Sequence, residues 1–225
     1  MREIVLDTET TGLDPLKGDR VVEIGCVELE NHVSTGKFFH VYLNPERDMP
    51  SEAAMVHGLT DEFLADKPVF AEKVDDFLNF IGEALLVIHN AAFDMNFINA
   101  ELTRCGYKRL SMERSLDTVG MARRMFPGAP ASLDALCKRF GVDASGRKMH
   151  GALLDAQLLA EVYLELRGGR QPDLVMATGA TAAEEEYKFS AREHRAPREH
   201  AASAEELAAH EAFLGQLKDP LWKRA

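Results

Sequence analysis

Three cysteines, Cys26, Cys105 and Cys137, are scattered over 225 residues without C-x-x-C spacing. That excludes a disulfide framework and a zinc-ribbon arrangement, and points to a reducing compartment, the cytoplasm. Positive charge is also short: 26 Lys and Arg stand against 37 Asp and Glu, a formal charge of −11. A chain with that balance does not grip nucleic acid or an anionic membrane through its overall field, so any polyanion it handles needs another hold. Long apolar runs are missing. None approaches the roughly 20 residues of a membrane span, and the opening MREIVLDTET lacks the apolar core of a secretory leader. Core-forming residues are plentiful, at 46% of the chain, enough for one domain of average to large size, with or without a tail.

The runs 3–8 (EIVLDT), 21–29 (VVEIGCVEL) and 38–43 (FFHVYL) are β-branched or aromatic and separated by Gly, Asp and Asn. They predict a three-strand antiparallel meander, whose first and most apolar strand is expected to be central in the sheet. The spacing of Phe70, Val74, Phe77 and Ile81 predicts an amphipathic helix. LLVIHN (85–90) reads as another strand, AAFDMNFINAELTRCG as a helix closed by Gly106, and SLDTV (115–119) as a short strand. Ser132 is placed to cap a helix that ends at Gly141, and a last long helix from 150 stops at Gly168 and Gly169. The class is α/β: a mixed β-sheet, antiparallel meander plus parallel strands, flanked by helices on both faces over residues 1–168. From 169 to 202 large apolar residues thin out and no period persists, as in a flexible linker. Ser203 and Glu206 then fit a capping box opening a tail helix within 203–225, with Leu207, Leu214 and Leu217 on one face.

Four carboxylates stand where apolar residues are expected. Asp7 and Glu9 close the most apolar strand and, two residues apart, face the same way if the strand continues through Glu9. Asp94 shares a helical face with Ile98 and Leu102, and Asp155 with Leu159, Val162 and Leu166. Singly, a solvated strand end or a helix-dipole charge accounts for each. Brought together, they need cations, and oxygen-only ligation favours Mg²⁺ or Mn²⁺, two of which are the known arrangement for phosphodiester hydrolysis. His150, five residues before Asp155, suits a general base for the attacking water. Glu52 and His57 read as ordinary turn residues.

DTETTG, HNAAFDMNF and HGALLD resemble, in this order, the three motifs of the DEDD 3′-to-5′ exonucleases in their histidine variant, H-x-x-x-x-D. The likeness continues through NPERDMPSEAAMVHGLTDEF, MFPGAPASLDALCKRFGV and the tail, as in the proofreading subunits of bacterial replicative polymerases. This resemblance implies a ribonuclease-H-like fold, with Asp7, Glu9, Asp94 and Asp155 holding two divalent metal ions and His150 as base. It implies that Glu52 and His57 contact the terminal nucleotide, with Thr8, Thr11, Gly12 and Leu13 flooring its site and Asp7, Glu9 and Asp155 also meeting substrate. The substrate so implied is DNA with a single-stranded or frayed 3′ end, released as nucleoside 5′-monophosphates. Residues 203–225 are then expected to bind the polymerase catalytic subunit, with Trp222 joining the leucine face. QPDLVM (171–176) resembles sliding-clamp peptides, with Gln171, Leu174 and Met176 as anchors, although Met176 stands where an aromatic residue usually ends such a peptide. The rival readings are a stand-alone nuclease acting on short RNA or tRNA ends, and a mainly structural polymerase subunit.

Overall fold

The structure, a computed structural model, describes residues 1–146, 149–169 and 201–217. The chain divides into two compact units, Met1–Leu174 and Val175–Ala225. In the first, strands β1 (Arg2–Thr10), β2 (Val21–Glu30), β3 (Val33–Tyr42), β4 (Leu85–Ile88) and β5 (Ser115–Asp117) form one sheet in the order β3-β2-β1-β4-β5. The first three pair antiparallel; β4 and β5 run parallel to β1. The mixed sheet expected from the sequence is therefore present, with β1 at its centre. Ile4, Val5 and Leu6 are at most 1% exposed, as an unbroken apolar run requires when both faces are covered.

The helices are α1 (Ser51–His57), α2 (Asp61–Leu64), α3 (Phe70–Ile81), α4 (Ala91–Arg104), α5 (Thr118–Met125), α6 (Leu133–Phe140) and α7 (Ala152–Leu166). Strand alternation divides β1 between two cores. Ile4 and Leu6 join Ile24, Leu86 and Ile88 under α3 and α4. Val5 joins Val27, Leu29 and Val87 under α6 and α7. By the same alternation Glu3, Asp7 and Glu9 lie on the α7 side, and Thr8 lies on the α4 side. Glu3 is tied to the far end of α7 by the Tyr163 hydroxyl, which donates to its Oε1 at 2.7 Å.

Gly25 sets how closely α7 approaches. It pairs with Asp7 across β1 and β2, and a Cβ there would lie 2.3 Å from the Ala152 carbonyl carbon and the Leu153 nitrogen. A bare backbone at this point lets the first turn of α7 lie directly on the sheet. Asp155, in that first turn, arrives beside the end of β1.

Three local expectations need revision. Glu52 and His57 lie on α1 and not in a turn. The third strand begins at Val33, five residues before the aromatic run. SLDTV contributes only Ser115–Asp117 to the sheet, because the Asp117 carboxylate accepts from the Val119 and Gly120 N–H groups and starts α5.

In the second unit, α8 (Ala204–Gln216) opens with the anticipated capping box between Ser203 and Glu206. Of the expected leucine face, Leu207 and Leu217 are exposed but Leu214 is buried, and Phe213 is exposed beside it. The 171–176 segment, with Gln171, Leu174 and Met176, lies outside the described residues, as do Leu221 and Trp222. Among the described residues no helix is long and apolar enough to cross a membrane.

Candidate active site

β1 remains a strand through Thr10, and its pairing with β2 shifts only after Glu9. The condition for Asp7 and Glu9 to face one side is met. Asp94 comes from α4, beneath the opposite face of the sheet, and is held at the strand end by Thr8. The Thr8 N–H and hydroxyl donate to Asp94 Oδ1 at 3.0 and 2.7 Å. Burial raises the Asp94 carboxyl to about 7, against the pull of these two donors.

Asp155 is 3% exposed in the first turn of α7. His150 stands in the loop before it, with a half-exposed side chain. The His150 main-chain N–H donates to the Val56 carbonyl at 3.2 Å, fastening that loop to α1. Its Nδ1 lies 3.2 Å from Asp155 Oδ2. A carboxylate oxygen accepts, so as a hydrogen bond this contact places a ring proton on Nδ1 and leaves Nε2 as the nitrogen turned to other partners.

Glu9, His150 and Asp155 each offer a ligand atom within 4.8 Å of the other two. Asp7 and Asp94 line the same cavity of about 290 Å³. Carboxylates so close together, three of them buried, offer the oxygen donors that a hard divalent cation takes. The donor set thus fits a divalent-metal site.

A second cavity of about 370 Å³ shares Thr8, Glu9 and Phe93 with the first. Thr11, Gly12, Leu13, Glu52 and His57 also line it. A Cβ on Gly12 would meet Asp19 Oδ2 at 2.3 Å, so the Asp19 carboxylate would have to move to admit a side chain. Leu13 stands 84% exposed at the rim. His57 is buried; its Nδ1 accepts from the Leu59 N–H at 3.1 Å, and desolvation lowers its pKa, favouring the neutral ring. The residues singled out within 1–168 therefore gather around two adjoining cavities.

The sequence reading passed over three participants. His89 and Asp134 line the metal-site cavity. His89 Nδ1 lies 2.9 Å from Thr118 Oγ1, whose proton goes to the Ile88 carbonyl at 3.2 Å. Its place at a strand end, inside the quoted HNAAFD, was the available signal. Asp134, two residues after the capping Ser132, has the appearance of any first-turn acid and gave none. Gly25, the third, lies inside the apolar run VVEIGCVEL and gave no signal.

A family profile described as Exonuclease matches residues 4–163. The chain belongs to the exonuclease family. This exonuclease is 60% identical over 179 residues to the DNA polymerase III subunit epsilon of Rickettsia prowazekii, covering 78% of each chain. It is 48% identical over 223 residues to the subunit of the same name from Escherichia coli, covering 95% of this chain and 92% of the relative. Among solved structures, exonuclease X in complex with 5′-overhanging duplex DNA shares 25% identity at a TM-score of 0.57, over 73% of this chain and 90% of that one. Exonuclease I shares 18% identity at a TM-score of 0.65, over 76% and 41%, a likeness of fold alone. The family and the fold read from the three motifs are both borne out.

Proposed function

We propose that this exonuclease removes mispaired 3′-terminal nucleotides from DNA on behalf of a replicative polymerase, by metal-assisted hydrolysis that releases nucleoside 5′-monophosphates. The observation that carries the reading is the meeting of Asp7, Glu9, Asp94, Asp155 and His150 around one cavity. A second cavity opens from it, walled by Glu52, His57 and the Thr8–Leu13 segment, where a terminal nucleotide would sit.

The four acids would hold two divalent cations, Mg²⁺ or Mn²⁺. When bound, such ions lower the pKa of water and offset the charge that develops on phosphate and leaving oxygen. The remaining work falls to the chain itself. Thr8 fixes Asp94, and the close seat of α7 on Gly25 fixes Asp155. His150, steered by Asp155 so that Nε2 is an acceptor, takes the proton from the attacking water. Glu52 and His57, set on one short helix, hold the terminal sugar, and Leu13 at the rim meets its base.

Preference for mispaired ends needs no reading of bases, because an unpaired terminus costs less to separate and enters the site more often. An acidic chain also needs little affinity for free DNA if a partner supplies a high local concentration of ends. The names of the relatives support a DNA polymerase III partner. The match to the E. coli subunit spans 95% of this chain and so takes in part of the tail, to which we assign the polymerase contact, residues 203–225. The clamp contact is assigned to Gln171, Leu174 and Met176.

The deciding assay compares matched and mispaired primer ends and single-stranded RNA, with Mg²⁺, Mn²⁺ or chelator. Faster release of nucleoside 5′-monophosphates from mispaired ends, only with metal, is expected. RNA cut as fast as DNA, or hydrolysis in chelator, overturns the reading. His150→Ala should slow single turnover by about 10²–10⁴-fold while metal binding persists.

A further inference from the structure

A third and larger hollow, about 640 Å³, runs along the outer side of α4. Its near end is walled by Leu13 and Phe93, and Phe93 lines all three cavities. Arg104, at the C-terminal end of α4, and Arg109, beside the Leu110 that is bonded to Asn99, also line it. The hollow thus leads away from the site of hydrolysis toward two cations, on a chain whose formal charge is −11.

The α4 wall of this groove presents Asn96, Ala100 and Thr103 and no carboxylate. The acids of α4 are engaged elsewhere: Asp94 with Thr8, and Glu101, 1% exposed, with Arg20 at 2.7 and 3.0 Å. Asp14, the acid of the opposite wall, caps the short turn Pro15–Lys17 by accepting from the Leu16 N–H at 2.9 Å. Arg104 is held in place, donating to Glu101 Oε1 at 3.0 Å and to the Pro15 carbonyl at 3.1 Å. Arg109 is exposed and has no ion-pair partner among the described residues. Leu16, 94% exposed, borders the same groove. An aromatic and aliphatic wall ending in arginines is the surface chemistry that holds single-stranded nucleic acid, bases against the apolar part and phosphates against the cations.

We propose that this groove carries the single-stranded DNA lying 5′ of the nucleotide being removed, with bases against Phe93 and Leu16 and a phosphate at Arg109. The assignment rests on the exonuclease reading above. It gives an acidic protein a local cationic hold on its substrate, confined to the side from which the strand enters.

The full chain separates the two ideas when given two substrates, a long oligothymidylate and the p-nitrophenyl ester of thymidine 5′-monophosphate, which has no 5′ strand. Ala100→Trp, which fills the groove, and Arg109→Gln should each raise KM for the oligonucleotide roughly tenfold and leave kcat/KM for the ester unchanged. With chelator present, so that no strand is cut, binding of labelled oligothymidylate by Arg109→Gln should lose about 0.7 from its log–log salt slope. Arg109→Gln is an exposed change and decides independently of any disturbance that tryptophan causes in α4. Wild-type KM and salt slope in that variant overturn the groove assignment. A wild-type chain unable to cut the ester with metal present fails the exonuclease reading instead.

Discussion

Thr8 gives Asp94 two hydrogen bonds, yet burial still lifts that carboxyl to about 7. Its folded value lies above the ordinary 3.8, so without metal its ionisation opposes folding. That opposition is absent at acid pH, grows as pH rises from about 4 and is complete above about 7. Asp94→Asn keeps the shape and removes the charge. At pH 8 it should melt in chelator at or above wild type, should gain less than wild type from added Mg²⁺, and with metal present should lose nearly all hydrolysis. A marked drop in its melting temperature, read by calorimetry, would make the carboxylate a structural group. Gly25 supplies a second test. Because its added Cβ meets helix backbone and not a flexible side chain, Gly25→Ala should push back the first turn of α7, carrying Asp155 and His150 with it. Overpacking of this kind costs about 1–3 kcal/mol, and a displacement near 1 Å in the site costs about 10²-fold in rate. A variant with wild-type kcat would show that α7 can shift without moving the acids.

At the scale of elements, Glu28 on β2 joins three strands. Its carboxylate takes a hydrogen bond from Arg2 of β1, one from the Thr35 hydroxyl of β3 at 3.0 Å, and lies 3.2 Å from Lys37 Nζ. Chiefly through Arg2, its pKa falls from 4.5 to about 2. A depressed carboxylate stabilises the fold above its unfolded pKa and loses that effect as pH falls through the folded one. Glu28→Gln should therefore be less stable than wild type at pH 7 in urea titrations, with the gap closing between about pH 4.5 and 2. A gap constant over that range would mean the charge contributes nothing.

How far these elements were legible in the sequence follows from what each one buries. β1, α3, α4, α6 and α7 were readable because each turns an apolar run or stripe toward a core. α1 was not. It is seven residues long, has no side-chain cap, and leaves Met55 and Val56 in water, so its hydrophobic spacing carries no signal. α5 buries only Thr118 and Ala122, and its one clue was Asp117 as a cap. The start of β3, Val33 to Gly36, is exposed and polar. Asp7, Glu9, Asp94 and Asp155 stood out as charges interrupting apolar patterns. Glu52 and His57 stood out only through family likeness, because the helix that aims them was invisible.

Taken whole, the chain on the proposed reading separates chemistry from attachment. The cavities lie in the unit Met1–Leu174, and α8 lies in the other. An isolated helix of about 13 residues is marginal in water, and the exposed Leu207, Phe213 and Leu217 suit an apolar groove on a partner. Truncation after Gly169 should leave hydrolysis of free single-stranded DNA near normal and abolish co-purification with the polymerase. Retained co-purification would move the contact onto the nuclease unit.

The Tyr163–Glu3 hydrogen bond joins residues 160 apart in sequence, and the acids are spread almost as widely, from Asp7 to Asp155. A chain emerging from the ribosome therefore carries three of its four acids long before the helix bearing the last one has been made. Synthesis proceeds at roughly 5–20 residues per second, so if all four acids are needed, as proposed, the nascent chain for several seconds lacks the means to cut any strand it meets. Competence comes only with α7, when β1 gains the cover of its second face.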